Sequence, residues 1–427
     1  MTLLAASGSL LTTTGTSNVA VTGLGFQPKL VLFFGADRAA QPGTTTGFYM
    51  GFGAATGATE RGCVLSRSRD AQTTSQLSAF VRSDSCFGNV LGTSDGVNGL
   101  LDFVSMDSDG FTVVPDDAFF ASYYVYWLAL GGDSLTNAKV GNFTLPNSSG
   151  NLAQTGVGFQ PDALMLFGIH QGASGYNLGA GGGGGFCLGW AKSSTERGCL
   201  SVVQRDNISG SDTNHILRTD RLLHLIREDA ADADGTVLDL VSFDSDGFTV
   251  SRNPNYNTTA GSSTVLLFVA LKGIDIKIGS FAAQTNTGQF SVSGVGFKPS
   301  ALIAMSTLNT TAAETAIASH SKLSFGWATE ISQAYLSARE DDALGTTDAF
   351  TRQSNDALVY GLDNVFAAES EIDFVSFGSD GFTLDQVDAD AAANLILYMA
   401  LGPGEGGAGA KLPILGKQLE PFNQMGI

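Results

Sequence analysis

At 427 residues the chain is longer than a single hydrophobic core usually serves, and length alone suggests two to four domains. A hydrophobic content of 43% is enough to fill packed interiors and excludes a disordered chain, while 54 glycines and only 15% charged residues favour short strands joined by turns. The formal net charge of −19 excludes nucleic acid as a partner, because phosphate binding needs lysine and arginine to displace counterions, and it argues equally against an anionic membrane surface. Acidity of this kind reads as solubility at high concentration.

Taken in chain order, the opening Met1-Thr2-Leu3-Leu4-Ala5-Ala6 lacks a basic region, so no signal peptide is expected. No apolar run reaches the ~18 residues that span a bilayer, and no membrane insertion is expected. Cys63, Cys86, Cys187 and Cys199 show no C-x-x-C spacing, which signals neither a zinc site nor a redox pair. Cys63 and Cys199 fall at matching places in a repeat and read as small buried apolar residues. Folding in a reducing cytosol is the simplest expectation.

Three signatures recur in one order. Gly25-Phe26-Gln27-Pro28 returns as Gly158-Phe159-Gln160-Pro161 and Gly296-Phe297-Lys298-Pro299. Ser108-Asp109-Gly110-Phe111-Thr112 returns as Ser245-Asp246-Gly247-Phe248-Thr249 and Ser379-Asp380-Gly381-Phe382-Thr383. Trp127-Leu128-Ala129-Leu130-Gly131 returns as Phe268-Val269-Ala270-Leu271-Lys272 and Tyr398-Met399-Ala400-Leu401-Gly402. The periods are 133 and 138 residues for the first signature, 137 and 134 for the second. A period of this size lies well above that of solenoids and propellers and is long enough for a domain with its own core. The expected architecture is therefore all-β: three tandem antiparallel β-sandwich domains at 1–133, 134–274 and 275–402, then a Gly-rich linker and an extended C-terminal arm at 403–427.

Within each copy the Gly-Phe-Gln/Lys-Pro turn leads into an unbroken apolar run, Leu30 to Phe34, Ala163 to Phe167 or Ala301 to Met305, which suits a strand buried on both faces. Next come Gly51-Phe52, Gly189-Trp190 and Gly326-Trp327, each followed by a hairpin and a strand ending at Asp70, Asp206 or Asp341. With Arg61, Arg197 and Ser332 taken as equivalent, the step from the glycine shortens from 10 to 8 to 6 residues, changes of two that keep later side chains on their original face. The clearest hairpin is Asp239 to Phe243, the turn Asp244-Ser245-Asp246-Gly247, then Phe248-Thr249-Val250. Period two places Asp239, Val241 and Phe243 on one face, and likewise Asp102, Val104 and Met106, and Asp373, Val375 and Phe377. Leu222 to Asp229 and Asp388 to Ala393 are the best candidates for short helices.

Few motifs carry chemistry. Asp244-Ser245-Asp246-Gly247 opens like a calcium loop, yet the twelfth position holds Ala118 or Asn255 in place of Glu, and copy three starts with Gly378; a tight turn explains all three. Gly92-Thr93-Ser94-Asp95-Gly96 spells a nucleophile elbow without the strand, helix and histidine that an elbow needs. Gly179 to Gly185 spells a dinucleotide fingerprint only because it is nearly all glycine, and reads as a surface loop. His170, His215, His224 and His320 share no repeat position, so neither a metal site nor any cofactor is expected. Asp102, Asp239 and Asp373 recur as half-buried carboxylates that accept backbone hydrogen bonds, with a ligand-binding role as the sharper alternative.

These residues carry two resemblances. Phe26-Gln27-Pro28 with Val31, Gly110-Phe111-Thr112-Val113 and Trp127-Leu128-Ala129-Leu130 resemble the H-type lectin domain, as do Phe159/Pro161, Gly247-Phe248 and Phe268-Val269-Ala270 in copy two, and Phe297/Pro299, Gly381-Phe382 and Tyr398-Met399-Ala400 in copy three. That resemblance covers about half of each copy and implies a six-stranded antiparallel β-sandwich. The section from Gly51 to Asp70 departs from the lectin pattern, and no sugar-binding residue carries over. The full pattern across all three copies is also similar to domains of bacteriophage and prophage virion proteins, which implies a tail-, fibre- or head-associated structural component of the virion, assembled in the host cytoplasm.

Past the linker Pro403 to Ala410, the tail carries Leu412, Ile414, Leu415, Leu419, Phe422, Met425 and Ile427, with Pro413 and Pro421 opposing a helix. Such a tail either folds back on copy three or docks as an assembly arm on a neighbouring subunit. Three functions follow. The first is a non-enzymatic structural virion protein contacting other virion proteins or copies of itself, as a pseudo-threefold block or a linear array. The second is an adhesin for cell-surface glycan, with Tyr123, Tyr176 and Tyr256 as stacking candidates. A glycan hydrolase would need paired carboxylates that sequence cannot single out among 41 acids. Partner contacts are expected in the copy-specific loops Arg38 to Thr46, His170 to Gly185 and Asn309 to Ser319.

Overall fold

A computed structural model describes residues 1–90, 96–146, 148–169, 183–226, 234–253, 264–308, 316–365 and 367–404. Among the described residues 65% lie in strands and none in a helix, so the all-β expectation holds; no helix forms at 388–393 or at 222–226, and 227–229 lie outside the described residues. Leu223–Ile226 is instead a strand, buried at every position and paired with Asp234–Asp244. Asp388 closes the strand Gly381–Asp388 ahead of a turn.

Each copy builds one large and one four-stranded antiparallel sheet. In copy one the large sheet runs in the order Leu4–Leu11, Tyr124–Gly131, Pro28–Gly35, Phe48–Ala55, Arg61–Ser68 and Leu77–Arg82. The small sheet runs Val19–Thr22, Gly110–Asp117, Val97–Asp107 and Phe87–Val90. Between the two sheets lies an inner core in which Phe111 of the Asp-Gly-Phe signature meets Phe33 at 5.8 Å and Trp127 at 5.5 Å, both edge-on. The same place holds Phe248 against Phe143 and Phe268 in copy two, and Phe382 against Phe281 and Tyr398 in copy three.

The unbroken apolar runs are explained by a second core on the far face of the large sheets. Val31 and Phe33 enter the inner core of copy one, whereas Leu30, Leu32 and Phe34 enter a core that all three copies share. There Phe52 of copy one packs on Phe167 of copy two at 5.0 Å and on Phe325 of copy three at 5.2 Å, while Phe34 lies 4.2 Å from Trp327. The three copies thus form a closed ring around a common apolar axis, and not a linear array.

Two details differ from the sequence reading. A β-bulge at Val104, Val241 and Val375 adds a residue to each hairpin strand, so the period-two parity breaks there. Met106 packs against the inner core beside Phe103 instead of following Asp102 outward, and Phe243 and Phe377 do the same. The equivalent glycines are Gly53, Gly189 and Gly326, two residues later in copy one than expected. Gly53 pairs with Cys63 as Gly189 pairs with Cys199, and a Cβ at any of the three would strike the carbonyl of Cys86, Leu222 or Leu358. Arg61 and Arg197 then correspond to Gln333, not Ser332, since these three pair with Ala55, Ala191 and Ala328.

Candidate functional site

The recurring carboxylates fall into three structural groups. The Asp of the Asp-Gly-Phe signature reaches back to the Gly-x-Gly that opens the Gly-Phe-Gln/Lys-Pro turn. Asp109 accepts from the N–H of Gly23 at 3.0 Å and of Gly25 at 2.6 Å; Asp246 does so from Gly156 and Gly158 at 3.0 and 2.6 Å, and Asp380 from Gly294 and Gly296 at 3.2 and 2.5 Å. These six glycines hold φ between 76° and 90°, a region that a side chain disfavours. Two signatures about 85 residues apart are therefore halves of one device, the carboxylate filling a nest of backbone donors. One residue before the turn, Asp107 accepts from the hydroxyls of Ser105 and Thr112, and Asp244 from those of Ser242 and Thr249, all at 2.7 Å. Those hydroxyls hold both carboxyls below the ordinary range. Turn-building bonds take up the oxygens that a calcium loop would need free.

Asp102, Asp239 and Asp373 are half-buried, as expected, but their partners are side chains and not the backbone. Asp102 pairs with Arg61 at 2.9 Å. Asp239 pairs with Arg197 at 3.0 Å and Arg221 at 3.5 Å. In copy three Gln333 replaces the arginine and donates to Asp373 at 3.2 Å. Burial raises the Asp102 carboxyl despite Arg61, and burial likewise raises that of Asp373, aided by Asp356 and Asp385. The three sites stand apart, one per copy, each tying the small sheet to the hairpin of the large one.

The third group was only partly visible in sequence, as the aspartates that end a strand. Asp70 accepts the N–H of Ala349 at 3.0 Å, Asp206 that of Leu77 at 2.9 Å, and Asp342 that of Thr213 at 3.0 Å. Copy one is thereby tied to copy three, copy two to copy one, and copy three to copy two. The equivalent of Asp70 and Asp206 is thus Asp342 and not Asp341. The residue after each, Ala71, Asn207 or Ala343, sits at φ 55°, 57° or 58° and donates to the carbonyl of Thr347, Ser75 or Ser211 in the neighbouring copy. The hydroxyls of these same residues accept from Gln72, Ile208 and Leu344. Twelve hydrogen bonds related by a pseudo-threefold axis form a clasp at one end of the ring, counting the return bonds from Thr347, Ser75 and Ser211.

The copy-specific loops contribute to the same closure. Gly43–Thr46, expected to meet an outside partner, adds a strand to the large sheet of copy three beside Ala349–Ser354. Ala318–Ser319 adds one to copy two beside Asn214 and His215. Residues 170–182 and 309–315 lie outside the described residues. Pairing by backbone leaves little trace in side chains, and it protects edges that would otherwise recruit other chains.

At the end opposite the clasp the turns, hairpin tips and inter-copy linkers gather. Each tip docks on the first strand of the next copy: Glu60 pairs with Lys139 at 3.2 Å, Glu196 with Lys277 at 3.3 Å, and the shorter third tip joins Ser332 to Ser7 by hydroxyls. Two clefts open here. One of about 650 Å³ between copies two and three is lined by Asp162, Lys192, Lys272 and Asp275, and also by Met1 and Gly404. Another of about 420 Å³ between copies three and one is lined by Leu4, Pro299, Glu330 and Pro403. At the third equivalent position Lys29 bonds to the carbonyls of Gly132 and Leu135 at 3.0 and 2.7 Å.

The remaining expectations are quickly placed. Tyr123 is only 8% exposed beneath Phe119 and offers no stacking surface; Tyr176, Tyr256, His170 and the serine of Gly92-Thr93-Ser94-Asp95-Gly96 lie outside the described residues. So does the whole arm, Leu412, Ile414, Leu415, Leu419, Phe422, Met425 and Ile427. All four cysteines are buried free thiols, and burial pushes each thiol up, away from reactivity. Compared with known proteins, the chain matches no family model and no curated sequence.

Proposed function

We propose that the chain is a non-enzymatic structural component of a phage virion, a pseudo-trimeric block that assembles through its C-terminal arm. The observation that supports this reading most is the closed ring of three equivalent sandwiches, with Gly404 and Met1 lining one cleft at the linker end. A covalently fused ring presents a pseudo-threefold face at fixed stoichiometry, which suits attachment to a symmetric particle. The recurring carboxylates are committed to turns, sheet ties and the clasp, so the shared residues serve the scaffold.

Deleting residues 405–427 tests the reading. Incorporation into purified particles, followed by mass spectrometry and cryo-EM, is expected to be lost while the melting temperature of the isolated protein stays unchanged. Absence of the intact chain from particles ends the proposal, and a large fall in melting temperature shows instead that the arm folds onto copy three. The adhesin alternative draws on Phe120, an aromatic ring 84% exposed in copy one. Binding on a glycan array that Phe120→Ala abolishes would favour it.

A further inference from the structure

The shared core is apolar along most of its length but changes character just below the clasp. Two residues before Asp70, Asp206 and Asp342 stand Ser68, Gln204 and Glu340. Strand alternation fixes their direction: Val64, Leu200 and Leu336 face the shared core, and an even number of residues later, with no bulge between, so do these three. Each is only 1% exposed. They form a polar layer that caps the apolar axis, one residue from each copy.

Glu340 is the anomaly in that layer. The Ser68 hydroxyl acts on its carboxyl without reaching hydrogen-bond geometry, and the strongest charge effects on it come from Asp70, Asp341 and Asp342, all acidic. Its Oε2 and both polar atoms of the Gln204 amide have no hydrogen-bond partner among the described residues. The neighbouring charges are turned to other work. Arg339 pairs with Asp341 at 2.6 Å, Lys322 with Glu369 at 3.7 Å, and His320 lies 3.4 Å from Asp341. On the strand next to it from copy two, the His215 ring meets the His320 carbonyl at 2.6 Å, and Thr213 donates to the Glu340 carbonyl at 3.0 Å. Asp348 adds a further acid just before the adjacent strand Ala349–Ser354, its carboxyl raised by burial and by Asp70 and Asp341. A buried carboxylate with acidic neighbours, and with no ion pair among the described residues, is strongly disfavoured, whereas the neutral acid is tolerated.

We infer that Glu340 is a proton-operated latch of the clasp: neutral, it seals the axial layer; ionised, it loosens the seams that copy three makes with copies one and two. The backbone of Glu340 is bonded to Thr213, and Asp342 two residues on ties the same strand to copy two, so strain at this carboxyl acts directly on the clasp. Burial pushes the Glu340 carboxyl from 4.5 up to about 8. The folded ring therefore holds a proton that the opened chain releases. Stability from this group is full below about pH 4.5, declines as pH rises, and is lost as pH passes 8.

Hydrogen exchange of the full-length protein reads this out at the clasp amides of Leu77, Thr213 and Ala349. In the wild type the opening equilibrium, corrected for intrinsic exchange, is expected to grow by up to about tenfold per pH unit between pH 6 and 8. In Glu340→Gln, which places the residue of copy two in copy three, that growth is expected to vanish. Equal pH profiles in the two proteins overturn the latch. Should Glu340→Gln fail to fold, Gln204→Glu decides, because a second buried acid is expected to steepen the profile and an unchanged profile rejects the inference.

Discussion

The two ends of the ring solve the same problem by different means. At the clasp, all three copies use one geometry: an Asp carboxylate, a left-handed residue and a Ser or Thr hydroxyl, bonded mainly to backbone of the next copy. At the linker end the seams are less uniform: two use a Glu–Lys pair, Glu60–Lys139 and Glu196–Lys277, the third a pair of serines, and Lys29, Asp162 or Ser300 stands at the equivalent turn. Backbone bonds demand a fixed path and tolerate little change, so the clasp has kept its pattern. Half-exposed ion pairs contribute little, so a pair of hydroxyls can stand in for one at the third seam. The end that varies is also the end where Gly404 lies.

Substitutions along the axis sharpen this contrast. Between the two ends, Phe52→Ala empties a site lined by Phe167 and Phe186 of copy two and Phe325 of copy three and is expected to cost about 3–5 kcal/mol, read as a large drop in melting temperature. At the clasp, Asp206→Ala removes the acceptor of the Leu77 N–H, a donor on a residue only 2% exposed. The expected loss is about 1–3 kcal/mol, with faster amide exchange centred on Leu77; Asp206→Asn, which keeps an acceptor oxygen, recovers most of it. At the linker end, Lys277→Ala breaks a pair that is about a third exposed on both sides, and a loss of ~0–1 kcal/mol that fades with added salt is expected from denaturant melts. A linker-end loss as large as that at the clasp would erase the distinction.

Much of the fold was legible because it is written in local signals repeated three times. Turn glycines, the Asp-Gly-Phe hairpins and the doubly buried runs each rest on short-range chemistry. Legibility failed where an extra residue or a long-range pairing intervened. The bulge at Val104, Val241 and Val375 turned Met106, Phe243 and Phe377 inward, against simple alternation. Half-burial of Asp102 and Asp239 follows from the repeat, but their arginine partners lie about 40 residues away, and in copy three the equivalent residue is Gln333 and not Ser332. A signal for the clasp was present: Asp70 and Ser75, Asp206 and Ser211, and Asp342 and Thr347 share one spacing. Its partners lie in other copies, so in sequence this spacing marks only the end of a strand.

By itself the sequence determined three equivalent β-rich units, because strand and turn preferences act over a few residues and recur with the period. Only the tertiary structure decided that the units close into a ring. The apolar faces of Phe34, Phe52 and their counterparts name no partner until the three sheets meet, and the strands Gly43–Thr46 and Ala318–Ser319 join foreign sheets through backbone groups that every residue possesses. The same closure places Glu340 on an axis that no single copy contains. A carboxylate ordinary in sequence thereby becomes a buried acid, since burial is a property of the assembly of strands and not of the residue.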